Sequence, residues 1–379
     1  MERILELPAA PPAALLDGAV AIALATGVTL RLEPPLDDAG TEVVQAAAML
    51  SGEDAAAEAV RGALARRGRV DIELPRPRPG LHTLSLREPS SVARVATALS
   101  WPLGLLGRPS ELRLRGVNHC AGAPGFHELS LSWAPQASAF GLRARLELRS
   151  AAFAGDPPEQ GELLLALDPA PALTPLHLAH RGLLRQVTVL GASGSAGHDD
   201  VRRAVDEALR LLRLHGVNAS GERVPLPLAQ PGGMRRWVLT AVAELEHSVV
   251  SVSVVSALAA PAPGAARLPA GIVAGGGPAP GTDREPEVLG ARAAGELNAF
   301  LSSRGALDGP AAERMMVPAI LCAAGLGARA GPPPQCHFTT TQVTAAQVAL
   351  AALAHTVLPV RAAIDGLPGE EGVVVVAPN

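Results

Sequence analysis

Apolar residues return every three or four positions over 15–26, 42–50, 54–66, 91–99, 311–326 and 345–356. With Gly or Pro at the flanks, that spacing predicts helices. Over 29–32, 69–74, 111–115, 143–148, 161–167 and 372–376, apolar and polar residues alternate or β-branched residues cluster, which predicts strands. A second unit stands between 183 and 258. A strand over 185–190 leads through a Gly/Ser turn into a helix over 198–215, striped by Val201, Val205, Ala208, Leu209 and Leu212. Asp199 and Asp200 favour its positive end, and Gly216 ends it. Strands over 237–245 and 249–255 follow, the latter alternating Val and Ser across the pleat. Strand, helix, strand, strand makes a small α/β unit. The stretch 259–286, full of Pro, Gly and Ala, reads as a mobile linker. The last segment is a helix, a Gly/Pro-rich turn, a strand opening at His337, a Thr-rich turn, a second helix, and an exit through Leu358-Pro359-Val360-Arg361. Periodicity alone makes the chain α+β.

Composition narrows the chemistry. With 48% hydrophobic and 18% charged residues in 379, a buried core is expected and wholesale disorder is not. Aromatics make up 2% and tyrosine is absent, so Ala, Leu and Val must fill the core. The chain contains no lysine, and all 32 basic residues are arginine. Lysine adenylates, Schiff bases and P-loop lysines are therefore excluded. A net charge of −4 argues against coating nucleic acid by bulk electrostatics, while leaving room for a local arginine groove. Cys120, Cys322 and Cys336 have neither disulfide-framework nor zinc spacing. The start of the chain lacks a basic leader, and no long uncharged span reads as a membrane helix. A cytoplasmic protein without membrane partners is expected.

Four short segments, in order, resemble the RNA 3'-terminal phosphate cyclases. Arg115-Gly116-Val117-Asn118-His119-Cys120-Ala121-Gly122-Ala123-Pro124 is similar to the family's Gly-Gly-Thr-x-Asn-Pro-x-Ala-Pro. Pro175-Leu176-His177-Leu178-Ala179-His180-Arg181-Gly182 matches its Leu-x-Pro-Leu-x-Leu-x-x-Arg-Gly link, and Glu313-Arg314-Met315-Met316-Val317-Pro318 its Asp-Gln-Leu-Leu-Leu-Pro helix. Leu358–Arg361 is the fourth. The resemblance implies helix pairs backing small sheets, repeated about three times, with an inserted α/β domain at 183–258. The main domain would then be 1–182 and 259–379, with 259–286 a linker. It also implies an ATP-dependent reaction: a histidine takes AMP, passes it to an RNA 3'-phosphate, and the 2'-hydroxyl closes a 2',3'-cyclic phosphate.

Where that chemistry should sit, the residues differ. Aligning Phe338-Thr339 at one end and Leu358–Arg361 at the other needs no gap, and it places Ala346 at the histidine. The glycine-rich opening falls on Pro8-Ala9-Ala10-Pro11-Pro12-Ala13-Ala14, where prolines lack donors and alanines resist positive φ. Expected arginines give way to the acidic Leu32–Gly40 stretch. The Gly-Ser-Ala-Gly-Ser turn becomes Arg87-Glu88-Pro89-Ser90-Ser91, and the Pro-x-Gly-Gly-Gly turn becomes 154–161. All the elements that handle ATP are altered together.

The remaining groove candidates implied by the resemblance are Arg115, Asn118, His119, Glu313, Arg314 and Thr344. His119 either binds phosphate and acts as an acid or base, or caps its own loop. His337 is either a relocated nucleophile or a strand-end histidine touching its neighbours. His177 and His180 lack accompanying ligands, so no metal is expected. The Gly/Ser run 191–197 does not satisfy G-x-S-x-G and reads as a flexible turn, and Gly275-Gly276-Gly277 reads as linker. Arg235-Arg236-Trp237 either stacks on a base or simply opens a strand. The leading expectation is a catalytically silent member that binds an RNA end or a protein partner, with no cofactor. The alternatives are an ATP- and Mg-dependent cyclase using His119 or His337, and a purely structural subunit. The family's cyclase-like ribosome-assembly branch is a precedent for silence. Enolpyruvyl transferases share the shape, but their phosphate sites need lysine.

Overall fold

A computed structural model describes residues 3–89, 91–157, 160–228, 235–256, 284–327 and 331–379, without the side chain of Asp54. The fold is α+β. Its first sheet, β1-β2-β3, joins Ile4–Glu6 (β1), Thr29–Leu32 (β2) and Val70–Ile72 (β3). Its second runs Gly80–Ser85 (β4), Ser110–Arg115 (β5), Glu162–Leu167 (β7), Ala144–Ser150 (β6). A third runs Val360–Asp365 (β14), Gly372–Pro378 (β15), Cys336–Thr340 (β13), His177–Leu178 (β8).

Helices cover these sheets: Ala13–Thr26 (α1), Asp38–Met49 (α2), Asp54–Leu64 (α3), Ser91–Gly104 (α4), Gly309–Ala323 (α9) and Ala345–Val357 (α10). Helix α1 is the hub, packed against α2, α4, α9 and α10. Leu15, Leu16 and every residue from Gly18 to Leu24 are buried. A helix apolar all round has to be interior, and its alanines let four neighbours approach. The three sheet-and-helix sets share one hydrophobic core. The second set also contains Phe126–Glu128 (α5), a π-helical turn at Leu129–Trp133, and Ala134–Ala139 (α6).

The inserted sheet has the order Ala219–Pro225 (β10), Leu184–Ser193 (β9), Trp237–Leu245 (β11), Val249–Val255 (β12). Its helix His198–Leu214 (α7) lies where the stripe places it. Two elements differ from the sequence expectation. Strand β10, which the expected strand–helix–strand–strand order lacks, pairs parallel to β9, and the 191–197 run is the end of β9 followed by a 3-10 turn. Helix α8, Glu285–Ser302, packs on α7, and its Ala293, Ala294, Leu297 and Phe300 complete the insert's own core. The boundary at 258 assigned this helix to the main unit. The linker region's 257–283, including Gly275–Gly277, lies outside the described residues. A third apolar cluster joins Val117, Phe153 and Ala154 of the main unit to Ala192, Leu226 and Val238 of the insert.

Candidate functional site

Two helix N-termini build the site. Asp308 caps α9 by accepting from the Ala311 N–H at 2.7 Å. Thr344 caps α10 in a capping box with Gln347, whose amide donates to Gly309 O at 3.2 Å and ties the two helix starts together. The Thr344 hydroxyl lies close enough to the Glu313 carboxyl to favour its charged form, so two sequence candidates meet. Burial lifts the pKa of Glu313 and of Asp308. Arg314 turns the other way, to Glu128 at 3.2 Å, and burial raises the Glu128 pKa as well. Ala346 is the second residue of α10 and only 7% exposed, a methyl group with no proton to exchange.

On α1, Asp17 receives a two-pronged hydrogen bond from Arg94 of α4, at 2.9 and 3.0 Å. Arg94 also reaches Asp37, the N-cap of α2, at 3.5 Å. Burial pushes the Asp17 pKa up while the guanidinium pulls it back. This pair was not among the sequence candidates. Its only signal was a charge inside each of two apolar helices.

The loop before α1 carries the proline-alanine opening. Pro12 precedes α1 without a side-chain cap. Contrary to expectation, Ala10 does adopt positive φ, at 50°. The turn at 87–91 is filled from within: the Glu42 carboxylate accepts from the Arg87 N–H at 2.6 Å, the Glu88 N–H at 3.1 Å and the Ser91 hydroxyl at 2.8 Å. Asp156 does likewise in the turn at 154–161, accepting from Phe153 N–H at 2.8 Å and from Arg236 at 2.7 Å. Ser90, Pro158 and Glu159 lie outside the described residues.

The remaining candidates are placed apart from Glu313 and Thr344 by their partners. His119 is fully buried and stacked on Phe153, with ring centres 5.0 Å apart. Its Nδ1–H donates to Asn118 Oδ1 at 2.8 Å, while Asn118 Nδ2 donates to Ser150 O. Burial, with His127 nearby, lowers the His119 pKa to about 3, so it is neutral at pH 7. Arg115 pairs with Glu162 at 3.1 Å. His337 shares a 3.0 Å Nδ1–Nδ1 hydrogen bond with His177, across the β13–β8 pairing. Over 235–237, Trp237 is buried in the insert core, Arg236 is buried against Asp156 beneath the Phe153 ring, and Arg235 reaches Asp200 at 3.6 Å while its side chain stays largely exposed.

A cavity of about 420 Å³ opens between the π-helical turn and the β11–β12 hairpin, lined by Leu131, Pro135, Leu245, Val249 and Met315 among others. No group of three or more His, Cys, Asp or Glu side chains suited to a metal occurs among the described residues, and no described helix is long and apolar enough to cross a membrane. The chain matches no curated protein. The family model for RNA 3'-terminal phosphate cyclase matches residues 13–364, nearly the whole chain. With three helix-backed sheets and an insert, the chain belongs to the RNA 3'-terminal phosphate cyclase family.

Proposed function

We propose that this cyclase-family protein is catalytically silent and serves RNA processing as a scaffold that holds an RNA end. Ala346 carries the reading, because adenylylation of the family type needs a nucleophile at the start of α10 and a methyl group supplies none. The internal carboxylates of Glu42 and Asp156 support it, since both occupy donors that an ATP phosphate would otherwise use. The rival, an active cyclase with a moved nucleophile, has little to work with. His119 is buried and His337 is engaged with His177.

The test is incubation of the purified protein with α-labelled ATP and magnesium, followed by a denaturing gel. We expect no acid-labile labelled band while an active cyclase labels alongside. A labelled band would overturn silence. Salt-dependent binding of RNA ending in a 3'-phosphate tests the scaffold half separately.

A further inference from the structure

The first sheet carries a charged cleft that plays no part in the site above. It has a volume of about 540 Å³ and is lined by Arg31, Arg66, Arg67 and Arg69, with Ala63, Val70 and Asp71. The chain leaves α3 at Leu64 and turns sharply at Gly68, whose φ of 80° an L side chain rarely adopts. That corner places three arginines within four residues. Two carboxylates answer two of the four lining arginines. Asp71 takes a paired hydrogen bond from Arg31 at 2.7 and 2.8 Å, and Glu6 takes Arg69 at 2.8 Å. Arg66 and Arg67 are exposed, and neither has an ion-pair partner among the described residues. Helix α3 ends beside them, and its negative end favours nearby cations. Dipole compensation alone would not gather four guanidiniums around a cleft.

Guanidinium groups offer phosphate a planar fork of donors, keep their charge at any physiological pH, and shed water more readily than an ammonium. A net charge of −4 means that a polyanion would be drawn to such a patch and not to the surface at large. We propose that the Arg66–Arg67–Arg69 cleft is a phosphate-backbone site for single-stranded RNA, a second anchor on the first sheet away from the α9–α10 helix starts. The assignment rests on the RNA-holding half of the proposed function.

The experiment is fluorescence anisotropy of a short labelled single-stranded RNA with the full chain over a salt series. It compares wild type, Arg66→Ala/Arg67→Ala, and a control with the same charge change on the insert, Arg213→Ala/Arg223→Ala. The cleft variant should bind at least about tenfold more weakly, with a log-log salt slope shallower by about 1.4, for two lost contacts at about 0.7 each. Its thermal midpoint should match wild type. If wild type binds and the cleft variant behaves like the control, the cleft is wrong and the RNA-holding reading stands. If wild type does not bind RNA, both fall.

Discussion

Ala10 holds a backbone angle that a side chain opposes, at a cost of about 1–2 kcal/mol. Ala10→Gly should therefore stabilise the protein by about 0.5–1 kcal/mol, once the extra freedom of the unfolded glycine is set against the relief. Urea unfolding would measure it. His119 makes a pH prediction. Its folded pKa of about 3 lies below the ordinary 6.5, so the unfolded chain takes up a proton that the folded chain refuses. Its contribution is present above pH 6.5 and is lost as pH falls from there toward 3. Asp17, Glu128, Asp308 and Glu313 act with the opposite sign. Their pKa values are raised, so their buried charge is unfavourable at neutral pH and acidification relieves it. His119→Phe should keep the stack on Phe153 and leave Asn118 Oδ1 to the Ala152 N–H. It should flatten the acid loss by up to about 1.4 kcal/mol per pH unit, measured by urea midpoints at pH 7 and 5. Much of the site could not be read from the sequence at this scale. Asp17 and Arg94 stand out as charges in apolar runs, but 77 positions separate them and only the packing of α1 on α4 pairs them. Ala346, by contrast, lies between two fixed points with no gap, and that spacing alone puts it at the start of α10, where the structure has it.

Long apolar runs and strongly striped elements came through with their ends nearly right, among them α1, α7, β11 and β12. The misses have physical causes. Strand β10, Ala-Ser-Gly-Glu-Arg-Val-Pro, is a polar edge strand that buries little, so it shows no alternation. Strand β4 is mostly exposed for the same reason. Helix α8 has a diffuse apolar face, because small residues let it sit close to α7. At Gly290 the two backbones are close: a Cβ there would lie 2.3 Å from the Ala204 carbonyl oxygen, a backbone atom that cannot step aside. Gly290→Ala should cost about 1–3 kcal/mol despite the better helix propensity of alanine. Denaturant unfolding would check it, and a stabilised variant would contradict the close packing of α7 and α8.

At the scale of the molecule, the insert is joined to the main unit by more than its two connections. Asp156 and Arg236 form a buried pair across the boundary, and the cluster around Phe153 and Val238 lies beside it. Removing one partner strands the other charge, so Asp156→Ala should destabilise by about 3–5 kcal/mol. Calorimetry should show a lower midpoint, and an unchanged midpoint would mean that the two units do not rely on this contact. The three-sheet arrangement was legible through the resemblance, whereas the strength of this junction was not, since its residues lie on separate turns whose meeting depends on the fold.

Glu42 turns an open question about phosphate affinity into one of competition. The carboxylate is tethered by the chain to the turn at 87–91, so as a rival anion it acts at an effective concentration of the order of millimolar or above, which dilution does not lower. A dissolved phosphate reaching those amides must displace a ligand that cannot diffuse away.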